Sequence, residues 1–166
     1  MTGESGESIL GKRELLRHAV ATLAYRGAKA IRDCPPNVAE FHASDATRTP
    51  RALVAHIGDL LDWALSLAEG NQRWNPSTPE SWEEECARFF AALARFDTFL
   101  ASDQPLGARA ERLMQGPIAD ALTHVGQLMM LRRLAGSPMR SENYAAAAIV
   151  AGRISSDQAA PKFEFD

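Results

Sequence analysis

The chain has 166 residues, of which 46% are hydrophobic and 23% charged, with a formal net charge of −3. That is enough for one domain with a real apolar core and no dependence on disulfide staples. The balance lacks the basic footprint of a nucleic-acid binder, and no apolar run reaches the length that crosses a bilayer, so neither nucleic acid nor membrane is an expected partner.

The two cysteines, Cys34 and Cys86, lack CxxC or zinc-ribbon spacing; one disulfide is formally possible, a disulfide framework is not. The apolar run 19–24 is short and set among Arg17, His18, Tyr25 and Arg26, unlike a secretory signal, so a cytoplasmic setting is expected.

Residues 1–8 are Gly/Ser/Glu-rich and read as a frayed end. A first helix is predicted over about 10–33, burying Leu15, Leu16, Ala19, Leu23 and Ile31, and the Cys34-Pro35-Pro36-Asn37 cluster ends it. A long connection leads to Thr49-Pro50, an N-cap followed by proline at the first helical position.

The second long helix, about 50–69, carries an apolar stripe of Leu53, Ile57, Leu60, Leu61, Ala64 and Ala68. Arg51, Gly58, Asp59, Asp62 and Ser66 fall opposite, and His56 lies at the edge of the stripe beside Leu60, Trp63 and Leu67. After a loop, Thr78-Pro79-Glu80 opens a third helix whose acidic start (Glu83, Glu84, Glu85) reads as solvated. Its apolar side is aromatic: Phe89, Phe90, Leu93, Phe96, Phe99 and Leu100.

A short helical turn over 108–114 precedes Gly116-Pro117, which restarts the chain into the fourth long helix; Gly136-Ser137-Pro138 stops it. Arg132 and Arg133, in its last turn, suit the negative helix end. A small helical segment over 143–150 and a polar tail over 155–166 complete the chain, and no stretch alternates with period two. Four long helices with short satellites predict an all-α four-helix bundle spanning 9–154.

The fourth helix is apolar in nearly every direction, and its polar exceptions Asp120, His124 and Gln127 share one narrow stripe. A carboxylate and an imidazole at i, i+4 are neighbours on a helix face. A stranded pair of buried polar groups is costly, so partners from another helix are expected, and His56 is the natural candidate. An Asp/His/His set suits zinc, nickel, iron(II) or manganese and leaves open positions for substrate. Gln127 is placed to orient a ligand. The same residues also suit a simple Asp–His hydrogen bond along the helix, with His56 satisfied separately.

His18 and His42 have no ligand partner at helical spacing, and Asp59, one turn from His56, points to the polar side. Trp63 and Trp74 are candidates to line a pocket, with Trp63 equally suited to wall the core; Asn143 and Tyr144 are candidates to fold back over the site mouth, or to cap and pack the final small helix. Cys34 has no flanking basic pair or histidine to activate it. No P-loop, GxGxxG turn or GxSxG elbow occurs.

The motifs Leu53-Val54-Ala55-His56-Ile57 and His124-Val125-Gly126-Gln127 resemble those of the DinB/YfiT-like superfamily, over most of the chain. The second is similar to the family's HxxxHRGQ pattern: His124 matches its second histidine, Asp120 stands where the first usually does, and Val125 replaces the arginine. The related mycothiol-dependent maleylpyruvate isomerases carry a carboxylate at that place in a His/Glu/His site. The resemblance implies a DinB-like bundle, frequently homodimeric, with one divalent metal held by His56, Asp120 and His124. It further implies a metal-dependent thiol S-transferase or hydrolase-like enzyme acting on a small molecule, with a low-molecular-weight thiol as a candidate cofactor. The competing expectation is a non-catalytic bundle that binds an apolar ligand or dimerises.

Overall fold

Two of the long helices begin, and two end, where side chains replace missing backbone partners. The computed structural model describes residues 6–165. In chain order the helices are α1 (Gly6–Ile31), α2 (Pro36–Ala39), α3 (Pro50–Ala68), α4 (Trp82–Ala101), α5 (Ala110–Leu113) and α6 (Ala119–Leu134). The fold is all-α apart from a two-residue antiparallel pair, β1 (Ser141–Glu142) with β2 (Glu164–Phe165).

At the start of α3 the Thr49 side chain accepts from the Ala52 N–H at 3.1 Å, as the Thr-Pro pair predicts. The α4 start lies slightly later than Thr78-Pro79 suggests, because Ser81 and Glu84 form a reciprocal capping box. Two helix ends are closed by buried arginines from other helices. Arg13 donates to the carbonyls of Phe99, Leu100 and Gln104 at the end of α4. Arg132 donates to those of Ala30, Arg32 and Asp33 at the end of α1. Arg132 therefore serves the terminus of a neighbour rather than only its own. The chain leaves α1 through Asp33, whose φ of 52° is left-handed.

Helices α3 and α4 pack together, as do α1 and α4, α3 and α6, and α1 and α6, so the four long helices surround one core. Phe89, Leu93 and Phe96 of α4 fill it against Leu23 of α1, Leu61 of α3 and Leu128 of α6. Gly27 of α1 is required here: a Cβ on it would lie 2.5 Å from the Phe89 ring.

Several local expectations are corrected. Helix α1 starts at Gly6, so of the end read as frayed only residues 1–5 lie outside the described residues. Leu15 is exposed rather than buried. The chain does not restart at Gly116-Pro117 but runs on through a π-helical turn, Met114–Ile118. The wider turn accommodates a proline that lacks an N–H and would crowd an α-helical neighbour.

The polar side of α3 faces protein: Gly58, Asp59 and Ser66 are buried, and Arg88 of α4 binds Asp59 at 2.8 Å. Glu85 is buried too, accepting from the Glu80 N–H and pairing with Arg88, so the acidic start of α4 is only partly solvated. Helix α6 is not buried all round, since Met130 and Leu134 are exposed. Beyond it, among the described residues, only Tyr144–Ala146 forms a helical turn, capped by Asn143, and the tail returns as β2.

Candidate metal centre

Helices α3 and α6 lie side by side, and their contact brings His56 to Asp120 and His124. One ligand atom from each of the three lies within 4.8 Å of the others. The Nε2 atom of His124 stands 3.4 Å from Oδ1 of Asp120, and the rings of His56 and His124 meet edge-on at 4.7 Å between centroids. Among the described residues this is the one such group of three, and neither His18 nor His42 belongs to it.

Burial grades across the site. His124 is buried, His56 is half-buried and the Asp120 side chain is half exposed. Asp120 is thus not the buried carboxylate that the apolar helix suggests; it is the solvent-facing lip. Of the three residues that share the stripe, Gln127 holds His124: its Oε1 lies 2.7 Å from Nδ1. An amide oxygen only accepts, so Nδ1 donates, and in the neutral imidazole this leaves the Nε2 lone pair facing Asp120.

His56 is held below the ordinary value of 6.5, first by burial and then by the positive charge of Arg48 and by His124. It is neutral at pH 7, the form in which an imidazole binds a metal.

Two imidazoles and a carboxylate are donors that fit a divalent metal in kind, and within a group spanning up to 4.8 Å one pair already has the spacing of a coordination edge. An edge of a tetrahedral site with bonds of about 2.0–2.1 Å is roughly 3.3–3.4 Å; the His124–Asp120 separation of 3.4 Å matches it. That distance is also too long for a good Asp–His hydrogen bond.

The surroundings are aromatic on one side and open on the other. Trp74 stands edge-on to His56 at 5.9 Å and walls the site on that side, and Trp63 packs edge-on against Trp74 at 5.9 Å. On the other side His124 and Gln127 form part of a cavity of about 760 Å³, shared with Arg48 and Leu53. Sequence reasoning missed Arg48, which lies in the long connection where no periodicity marks it.

Other candidates resolve as structural. Asp59 is occupied by Arg88 and the Ser77 N–H. Tyr144 packs edge-on against Tyr25 and under Arg26, away from the site mouth. Both cysteines are free thiols; burial raises Cys34 and pushes Cys86 up to about 12, which makes them poor nucleophiles.

Compared with protein-family models, curated proteins and solved structures, the chain matches none. No described helix is long and apolar enough to cross a membrane.

Proposed function

We propose that this protein is a divalent-metal enzyme of the DinB-like four-helix-bundle type, a thiol S-transferase or a hydrolase-like enzyme acting on a small molecule. One observation carries the reading: His56, Asp120 and His124 converge from two helices, and Gln127 turns the Nε2 of His124 into the group.

In this reading His56, Asp120 and His124 hold the ion, with zinc or nickel favoured by the two imidazoles and iron(II) or manganese also compatible. A bound divalent cation supplies the lowered pKa of a thiol or water at its open position. The protein's own residues do the rest. Gln127 holds the His124 tautomer, burial keeps His56 neutral, and the half-exposed Asp120 leaves the mouth accessible. Trp74 covers one side of the His56 ring, with Trp63 packed against it.

The test is metal content by mass spectrometry on untagged protein, beside His124→Ala. About one equivalent of a transition metal, lost in the variant, is expected. No uptake, even after reconstitution with zinc, nickel, iron(II) and manganese, leaves Asp120 and His124 as a structural pair on a non-catalytic bundle.

A further inference from the structure

One stripe of α6 changes character along its length. His124, Gln127, Leu131 and Leu134 follow one another at i, i+3, i+7 and i+10, and all four line the same open cavity. The stripe is polar where it meets the candidate metal ligands and apolar at the other end. Ten residues of helix span about 15 Å, close to the length of an extended carboxylate of roughly ten carbons.

The facing wall adds a charge. Arg48 lies on the cavity, close enough to His56 for its charge to act on the imidazole. Among the described residues it forms no ion pair with a carboxylate, unlike Arg17, Arg51, Arg88 and Arg95. At the far end Met130 and Leu134 expose apolar surface into the same space. A cation without a counter-ion at one end of an apolar trough complements a molecule with one negative head and one apolar tail.

We propose that this cavity binds an amphipathic carboxylate, with its head at Arg48 beside the candidate metal centre and its tail along Leu131 and Leu134. This names the substrate class of the site read above as a metal centre, and rests on that reading only for its link to chemistry. Arg48 supplies charge and hydrogen-bond donors for the carboxylate, Gln127 retains its amide N–H₂ to donate alongside, and the aliphatic wall removes the tail from water.

The test uses decanoate, decanol and decyltrimethylammonium as probes in titration calorimetry, with the wild type, Arg48→Gln, Leu134→Glu and His56→Ala. Arg48 and Leu134 are exposed, so their substitution leaves the core intact. Decanoate is expected to bind the wild type at least about tenfold more tightly than decanol, the worth of one charged hydrogen bond, with the cation weaker still. Arg48→Gln should remove that preference and leave decanol unchanged, and Leu134→Glu should weaken both.

Equal binding of decanoate and decanol, an unchanged preference in Arg48→Gln, or no binding of any probe overturns the proposal. So does sedimentation showing a dimer that Leu134→Glu dissociates and decanoate does not, because a second copy then covers the trough. His56 does not line the cavity, so His56→Ala separates the two readings: loss of zinc uptake with decanoate binding retained supports the trough. Absence of zinc uptake by the wild type, with decanoate still bound, fails the metal reading alone.

Discussion

The Oε1 atom of Gln127 lies 2.7 Å from Nδ1 of His124, one turn further along the same helix. This contact decides which nitrogen of a buried imidazole points at Asp120 and His56. Gln127→Ala is accordingly expected to lower zinc affinity by about 10- to 100-fold. Because Gln127 is exposed, the thermal midpoint of the metal-free protein should stay put. Competition with a chelating dye measures the first quantity and circular dichroism the second; unchanged affinity would show that the amide does not orient the ligand.

Asp120 separates ligation from stability. Its side chain is half exposed and stands 3.4 Å from His124, so it contributes little to holding the fold. Asp120→Ala should therefore abolish tight zinc binding while shifting apo-protein stability by no more than about 0.5 kcal/mol. A large loss of stability in urea would instead make the pair structural.

Arg132 is expected to matter far more for folding. It is buried, and its guanidinium meets three carbonyls at the end of α1 and the Ser137 hydroxyl. Arg132→Met leaves those carbonyls without donors and should cost about 3 kcal/mol in urea denaturation. An effect below about 0.5 kcal/mol would mean that water replaces the arginine.

Gly27 tests the packing of α1 against α4. Gly27→Ala gains helix propensity at that position, yet its methyl would meet the Phe89 ring at 2.5 Å. The ring must shift within a close-packed core, so net destabilisation of about 1–3 kcal/mol is expected. Stabilisation would show that the core relaxes freely around Phe89.

The return of the tail as β2 is charge-dependent. Lys29 bridges Glu142 at 2.8 Å and Glu164 at 2.6 Å, and the Asn143 N–H donates to the Phe163 carbonyl at 3.0 Å. Burial works against the Lys29 charge, but the hydrogen bonds to Glu142 and Glu164 outweigh it and raise the pKa above 10.5. The bond from Lys29 holds Glu164 below 4.5. The Glu164 contribution is thus present above 4.5 and lost as pH falls through its lowered value; that of Lys29 is present below 10.5 and lost as pH rises through its raised one. The protection factor of the Asn143 amide in hydrogen exchange should be flat between those limits and fall outside them. A drop near neutrality would point to another anchor.

The sequence by itself determined the helical class, because apolar residues recur with the helical period in four long segments and caps such as Thr49-Pro50 mark a start. It also placed Asp120, His124 and Gln127 together, since i, i+3 and i+4 relations belong to one helix and need no tertiary information. The approach of His56 was an inference from burial that the packing of α3 on α6 then supplied. Other features were decided only by the tertiary structure. Asp59, Ser66 and Glu85 have solvated-looking positions on their own helices, yet all three are buried: Arg88 pairs with Asp59 across the α3–α4 contact and with Glu85 on its own helix, and the Ser66 hydroxyl is held by the Trp63 carbonyl and the Arg73 backbone. A helical wheel shows which residues share a face, not what the neighbour offers to that face. Arg48 stayed invisible for the same reason: its place beside His56 and the trough follows from how an aperiodic connection crosses α3 and α6. Short-range periodicity is written in the chain, whereas partners distant in sequence become neighbours only when the helices pack.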